Sequence, residues 1–259
     1  MHHWIRVSII FYLSFICSAF GFFPNFISQR QSSFTLRAEN NQPVVDLSFD
    51  FSSQDGWDNF YTIHQENSFE WHSSIPHSFI VDEIDRGSNV LLVGTGNSQL
   101  PRILYDHHEH STQVICMDYS DPCIQSLKEL HEKDCPQMKF LCGDVMHLTM
   151  LMKDHFFDHS IIDDDFRTDC KYLDYVIDKG LMDALMCNEG FCYTLEKYIR
   201  QITSVLKKNG KLILISYKLI PSTREFLEIQ GDKFGMKWEF DISEKSNDRV
   251  SFSIATLQH

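Results

Sequence analysis

The eight cysteines, at 17, 116, 123, 135, 142, 170, 187 and 192, include no Cys-x-x-Cys pair. That scatter argues against a disulfide framework and for a reducing interior. Cys116 and Cys142 fall in apolar runs, where a thiol serves as a small hydrophobe. Basic charge is also scarce: 23 Lys and Arg face 36 Asp and Glu, a net charge of −13. So acidic a chain is repelled by phosphate backbones, which excludes non-specific nucleic-acid binding and leaves a basic protein partner compatible. No Gly-Lys-Ser or Gly-Lys-Thr follows the glycine turn at residues 94–96, which rules out a phosphate-cradling P-loop there. The apolar run from Val7 to Phe20 is too short and too serine-rich for a membrane span. Internal repeats are absent. What remains, 43% hydrophobic over 259 residues, suffices for one large α/β domain with one core.

The first 38 residues read as an address rather than as part of that domain. Arg6 precedes the apolar run, and Ser18-Ala19 supplies the small residues of a signal-peptidase site. From Phe20 to Ala38 there is no acid, while Arg30, Arg37, Ser28, Ser32, Ser33 and Thr35 accumulate, the composition of a transit peptide. A signal joined to a transit peptide through Ser18-Ala19-Phe20 resembles the bipartite presequences of algae with complex, red-lineage plastids. The expectation is a plastid protein with no stable membrane association after processing. The alternatives are an ordinary secretory signal or a signal anchor. Without residues 1–38 the charge is −16. Residues 39–55 read as a loosely ordered lead-in, and residues 56–259 as the folded domain.

That domain is organised around Asn89-Val90-Leu91-Leu92-Val93-Gly94-Thr95-Gly96-Asn97-Ser98. The apolar run suits a strand buried on both faces, and the two glycines let bare backbone approach a ligand. Asn97 and Ser98 then cap a helix with Pro101 in its first turn. This is the nucleotide-binding corner of an open α/β sheet. A dinucleotide fingerprint needs a third glycine where Gln99 stands. The second strand, Gln113–Met117, ends in Asp118, about twenty residues beyond the glycines and placed for ribose hydroxyls. Two glycines followed by this acid suit S-adenosyl-L-methionine better than a nicotinamide.

Further strands are expected at Met138–Cys142, Leu173–Ile177 and Lys211–Ser216, with helices at Ile75–Ile84, Ser98–Asp106, Asp121–Lys133, Leu181–Cys187, Phe191–Leu206 and Ser222–Phe234. Lys207-Lys208-Asn209-Gly210 reads as a helix stop. Two alternating runs, Lys237–Ser243 and Arg249–Leu257, read as an antiparallel hairpin. The fold class is therefore α/β: a Rossmann-like class I methyltransferase sheet of seven mostly parallel strands with a C-terminal antiparallel hairpin.

Gly94, Asp118, Asp144 and Asp178 close strands one to four in turn, where such sheets bind ligands. One acid at a strand end is ordinarily a helix cap; three together with the glycine turn are more specific. Asp144 is placed for an adenine amino group and Val145 for its flat face. The sulfonium and the methyl acceptor should meet at Asp178-Lys179-Gly180.

Trp57-x-x-x-Tyr61, Phe69-Glu70-Trp71, Gly94-x-Gly96-Asn97-Ser98, Leu104-Tyr105-Asp106, Asp118-Tyr119-Ser120 and Asp178-Lys179-Gly180-x-x-Asp183-Ala184-Leu185 resemble one group. It is the seven-β-strand lysine methyltransferases that act on translation elongation factor 1A, including the one related to the endothelin-converting-enzyme locus. The match covers roughly residues 55–217. The resemblance implies that Trp57, Tyr61 and Trp71 close over S-adenosylmethionine. It implies that Gly94, Gly96, Asp118, Tyr119, Asp144, Val145 and Lys179 line the cofactor site. Aromatic faces attract a sulfonium, which gives the aromatic roles a physical reason. Three positions depart from the group: Thr95 replaces a cysteine, His72 replaces an aromatic, and an acidic insertion with Asp163-Asp164-Asp165 precedes strand four.

These readings predict a protein-lysine N-methyltransferase whose partner is a lysine-bearing protein such as a translation factor. Asp178 is expected to orient the amine, and Glu70 or His72 to assist its deprotonation. No metal is required; Asp106-His107-His108-Glu109-His110 has ligand residue types, but adjacent turn residues cannot all converge on one ion. A small-molecule methyltransferase on the same fold, or a non-catalytic cofactor-binding protein, are the alternatives.

Overall fold

The structure, a computed structural model, describes residues 53–64, 68–107, 109–156, 171–187 and 190–258, and with them two short paired strands. The chain divides into two compact units, residues 1–50 and 51–259. In the first, the described residues are Thr35–Leu36 and Val45–Asp46, which pair antiparallel. The rest of the presequence and most of the lead-in lie outside the described residues, as does the acidic insertion over 157–170.

The second unit is built on a seven-stranded sheet. Its strands are β1 Asn89–Val93, β2 Gln113–Asp118, β3 Lys139–Cys142, β4 Leu173–Lys179, β5 Leu206–Tyr217, β6 Met236–Glu239 and β7 Val250–Leu257. They lie in the order β3-β2-β1-β4-β5-β7-β6. The first five run parallel, and β7 enters antiparallel between β5 and β6. The central strands are continuous apolar runs because both faces are covered, leaving Val90, Leu91, Val114, Ile115, Val176, Leu212 and Ile213 fully buried. The helices are α1 Gln54–Ile63, α2 His77–Val81, α3 Leu100–His107, α4 Asp121–His131, α5 Leu148–Phe156, α6 Leu181–Leu185, α7 Phe191–Val205 and α8 Pro221–Phe234. α7 drives Leu195, Tyr198, Ile199 and Ile202, at helical spacing, into the core.

Two expectations change. Lys207–Gly210 is not a helix stop but lies inside β5. α7 already ends at Val205, because Leu206 is buried in extended backbone and pairs with Leu173. The register then shifts between Leu173 and Tyr175 and Asn209 takes φ 65°, so the turn residues form an irregularity within the strand. The helix expected over Ile75–Ile84 is only His77–Val81, since Pro76 sits at its N-cap in non-helical backbone. Neither change moves the carboxyl ends of β1 to β5, which face one rim of the sheet.

Candidate functional site

At that rim, β1 gives way to a turn in which Gly94 and Gly96 have φ of 58° and 56°. Both positions are crowded as well as left-handed. A Cβ on Gly94 would stand 2.9 Å from Leu181 Cβ at the start of α6, and one on Gly96 would stand 2.8 Å from the Tyr61 hydroxyl. Asp118 holds the turn from the neighbouring strand: Oδ2 accepts from Gly96 N–H at 3.0 Å and Oδ1 from Ser120 N–H at 3.1 Å. Burial pushes this carboxyl up to about 6, against the backbone hydrogen bonds that favour its charge. Thr95, between the glycines, has a buried hydroxyl with no hydrogen-bond partner.

Over the turn lies an aromatic cluster. Ser53 caps α1, its hydroxyl accepting from Gly56 N–H at 3.1 Å. Helical spacing then puts Trp57, Phe60 and Tyr61 on one side. Trp57 stacks on Tyr61 at 5.9 Å between centroids and meets Trp71 edge-on at 6.1 Å; Phe69 meets Trp71 at 4.9 Å. Gln54 Nε2 donates to the Tyr119 carbonyl at 2.8 Å, fastening α1 to the end of β2. Trp71, Gly94, Gly96, Ser98 and Lys179 line a narrow recess between this cluster and the sheet.

Glu70 has a different place from the one expected. Its carboxylate sits at the N-terminus of α3, accepting from Gln99 N–H at 2.7 Å and from the Ser98 hydroxyl at 2.9 and 3.0 Å. Lys179 Nζ lies 2.7 Å away and His77 Nε2 3.1 Å. Burial alone would raise this carboxyl, but His77, Lys179 and the Gln99 N–H prevail and hold it at about 2. So acidic a group, with its oxygens taken by donors, is no proton acceptor at neutral pH. Glu70 is a clamp that joins the Phe69–His72 segment to α3 and β4. Lys179, its side chain only 8% exposed, is held by the same pair. Desolvation pulls its ammonium below the ordinary lysine value, opposed by Glu70.

Asp178 is likewise corrected. It is fully buried, and its oxygens accept from Leu181 N–H at 2.8 Å, Met182 N–H at 3.0 Å and the Tyr198 hydroxyl at 2.7 Å. Burial pushes it up to about 7. A carboxylate so enclosed cannot touch an incoming amine. It caps α6 and fixes the turn through Gly180, whose φ is 97°.

His72 does reach this turn. Its Nε2 is 3.6 Å from where a Gly180 Cβ would be, and Trp71 Cβ is 3.5 Å away. The imidazole is 3% exposed, and Nε2 is 2.8 Å from Asp183 Oδ2 on α6. Asp183 also accepts from the Tyr217 N–H at 3.2 and 3.3 Å, and the Tyr217 ring meets the imidazole edge-on at 4.8 Å.

The structure thus brings Trp57, Tyr61, Trp71, Gly94, Gly96 and Lys179 together, with Asp118 one hydrogen bond behind the turn. Tyr119 follows on β2, partly buried. Asp144 stands at the end of β3, capping a short 3₁₀ turn through Met146 N–H at 2.9 Å, with Val145 buried beneath. Asn97, expected as a helix cap, instead accepts from Phe69 N–H at 3.1 Å, leaving Ser98 to accept from Leu100 N–H at 3.1 Å, and the sequence assigns no role to Asp183 or Tyr217. Asp183 was legible as the last acid of Asp178-Lys179-Gly180-x-x-Asp183; Tyr217 left no signal beyond ending a strand. Among the described residues, no three of His, Cys, Asp and Glu gather as a metal site. Asp106 instead pairs with Arg102 and His110 on the surface.

The rim fits S-adenosylmethionine on its own features: a turn where only bare backbone fits, a strand-end acid behind it, and aromatic faces above it. Residues 84–249 match the family described as a methyltransferase domain. The human eEF1A lysine and N-terminal methyltransferase is 27% identical over 172 residues, 64% of this chain and 20% of that protein. A Drosophila melanogaster homologue is 26% identical over 173 residues. The chain thus spans about a fifth of the length of these relatives. The mitochondrial citrate synthase-lysine N-methyltransferase of Danio rerio is 26% identical over 192 residues, 67% of this chain and 70% of that one. Among solved structures, one concerned with converting a disulfide bond into a thioacetal group during echinomycin biosynthesis superposes with a TM-score of 0.56 at 12% identity, covering 80% of this chain and 93% of its own. The CurJ carbon methyltransferase gives 0.51 at 10% identity, covering 81% and 59%. These two share the fold. With the family matched over more than half its length, the chain belongs to the methyltransferase-domain family and is an S-adenosylmethionine-dependent methyltransferase.

Proposed function

We propose that the chain is a protein-lysine N-methyltransferase. The observation that carries this reading is the side-chain cluster beside Gly180. There the Asp183 carboxylate, the His72 imidazole and the exposed Tyr217 ring meet at the ends of β4 and β5. A carboxylate beside an aromatic ring suits a cationic amine on an unbranched alkyl stem. The relatives named as lysine methyltransferases support the same chemistry, and their names cite different target proteins, so the acceptor protein varies among them.

When bound, S-adenosylmethionine supplies a methyl group on a positively charged sulfur. The chain's own residues hold and orient the reactants, since methyl transfer depends on alignment. In this reading Trp57, Tyr61 and Trp71 present aromatic faces to the sulfonium. The bare backbone of Gly94 and Gly96 and the side chain of Lys179 would border the cofactor. Asp118 and Tyr119 would hold its hydroxyl end, and Asp144 and Val145 its adenine. The acceptor lysine must lose a proton first, its free pKa being near 10.4. Glu70 and Asp178, both occupied by internal donors, leave His72 as the group for that task. A plastid destination, with a plastid translation factor or ribosomal protein as target, is part of the same proposal and rests on the Ser18-Ala19-Phe20 junction and the acid-free stretch after it.

The test incubates the full chain with methyl-labelled S-adenosylmethionine and a lysate of the source organism. Label on a lysine of a discrete protein, located by mass, is the expected result. Label confined to small molecules overturns the reading.

A further inference from the structure

We propose that Asp58, on α1, is a second carboxylate of the cofactor site, accepting a ribose hydroxyl of S-adenosylmethionine beside Asp118. The inference concerns the cofactor and stands apart from the identity of the methyl acceptor.

Three observations place the group. The first is the spacing of α1. Gln54, Asp58 and Tyr61 stand at i, i+4 and i+7, one stripe of the helix. Both ends of that stripe land on the rim of the sheet. Gln54 Nε2 donates to the Tyr119 carbonyl at 2.8 Å, and the Tyr61 hydroxyl is 2.8 Å from where a Gly96 Cβ would be. Asp118 joins those two landing points, one residue before Tyr119 and hydrogen-bonded to Gly96 N–H at 3.0 Å. Asp58, between Gln54 and Tyr61, is therefore carried over the Asp118 end of β2.

The second observation is where its charge is felt. Burial does most to raise the Asp118 carboxyl, and Asp58 adds to that rise by like-charge repulsion, against the backbone N–H groups. Cys123 at the start of α4 and Cys142 at the end of β3 are pushed up in the same way, by burial first and then by acids that include Asp58. A charge felt at the ends of β2 and β3 faces the rim, not open solvent.

The third is an unmet acceptor. Asp58 Oδ1 is enclosed and has no hydrogen-bond partner. The donors around it are engaged elsewhere. Gln54 reaches Tyr119, the Thr62 hydroxyl donates to the Asp58 backbone carbonyl at 2.7 Å, and the Gly96 and Ser120 N–H groups serve Asp118. The Ser120 hydroxyl also lacks a partner, but that residue is fully buried, whereas Asp58 is partly exposed and open to a ligand.

An enclosed carboxylate oxygen without a donor is costly, and a second carboxylate nearby adds repulsion. One kind of group relieves both: an uncharged one that offers two neighbouring hydroxyl donors. The 2′ and 3′ hydroxyls of a ribose have that chemistry. A sugar carrying a phosphate would instead bring a further negative charge to the pair, so the two acids also select for an unphosphorylated ribose.

The test uses the full chain as wild type, Asp58→Ala and Asp58→Asn. Calorimetry measures binding of S-adenosylhomocysteine and of its 2′-deoxy and 3′-deoxy analogues; urea unfolding without ligand follows the fold. The wild type should bind the full ribose about tenfold or more tightly than at least one of the deoxy analogues. Asp58→Ala should lose about tenfold for S-adenosylhomocysteine while binding that analogue nearly as before, so the preference shrinks to within about threefold. Its unfolding midpoint should not fall, because the oxygen removed has no partner in the free protein. Asp58→Asn, which keeps an acceptor oxygen without the charge, should lie between the two. No preference for either hydroxyl in the wild type, equal losses for all three ligands in Asp58→Ala, or no loss at all overturns the proposal. If Asp58→Ala does not fold, an undiminished preference for the full ribose in Asp58→Asn overturns it instead. None of these titrations involves a methyl acceptor, so failure of the lysine reading would leave their result standing.

Discussion

A sulfonium and a thioether of nearly the same shape differ by one charge, and in the proposed reading Trp57, stacked on Tyr61, is one of the rings that senses that difference. Trp57→Ala is expected to weaken binding of S-adenosylmethionine more than of its demethylated product. The gap should be about 3- to 30-fold, corresponding to about 0.5–2 kcal/mol of cation–π attraction. Paired calorimetric titrations measure it; equal losses for both ligands would make Trp57 a packing residue. Glu70 is argued from its proton. Its carboxyl is depressed from 4.5 to about 2, so its charge stabilises the fold above about pH 4.5 and that contribution drains away as the pH falls towards 2. Glu70→Gln should therefore cost roughly 2–3 kcal/mol at pH 7 and progressively less towards pH 3, read from urea unfolding at several pH values. A constant deficit would mean that shape, not charge, makes the clamp.

Among elements, the join between α1 and the glycine turn is the sharpest. Gly96→Ala adds a methyl at φ 56° that runs into the Tyr61 hydroxyl. It should reduce cofactor affinity at least about tenfold, the left-handed strain and the collision adding together. Removing the hydroxyl in Gly96→Ala/Tyr61→Phe should restore part of that loss while leaving the strain. A double variant no better than the single one would place the whole cost in the backbone. The strands were legible because their apolar runs reflect burial on both faces, and the glycine turn because only glycine fits there. Asp118 and Asp178 were legible as strand-end acids, but not the direction of their hydrogen bonds. Asp178 caps α6, the ordinary role of a strand-end acid, and also accepts from Tyr198, 20 residues on, a partner that no local pattern announces. Glu70 was misread for the same reason: its partners at 98, 99 and 179 become neighbours only once the sheet has formed. The Lys-Lys-Asn-Gly stretch carried a genuine helix-stop signal, overridden by the pairing of Leu206 with Leu173.

At the scale of the whole molecule, the net charge of −13 bears on the proposed protein acceptor. A basic acceptor surface would be drawn by long-range attraction that salt screens over about 8–10 Å. Raising the salt from low to physiological strength should lower kcat/KM for a protein acceptor severalfold, while affinity for the small cofactor changes little. An insensitive kcat/KM would show that recognition is confined to the strand-end mouth. The architecture is shared at 10–12% identity, so it supplies the rim and leaves the acceptor to the side chains around it.

The order of the strands also imposes a timetable. β7, residues 250–257, lies between β5 and β6 and hydrogen-bonds to both. Until those residues leave the ribosome, β5 has no partner on that side. Tyr217, at the tip of β5, faces Val250 across the last rung of that ladder. A growing chain can therefore form the glycine turn early, but the rim around Tyr217 waits until residues 250–257 have been translated. A ribosome that stalls before Val250 would leave a nascent chain with an open sheet edge, a surface that chaperones rather than substrates would meet first.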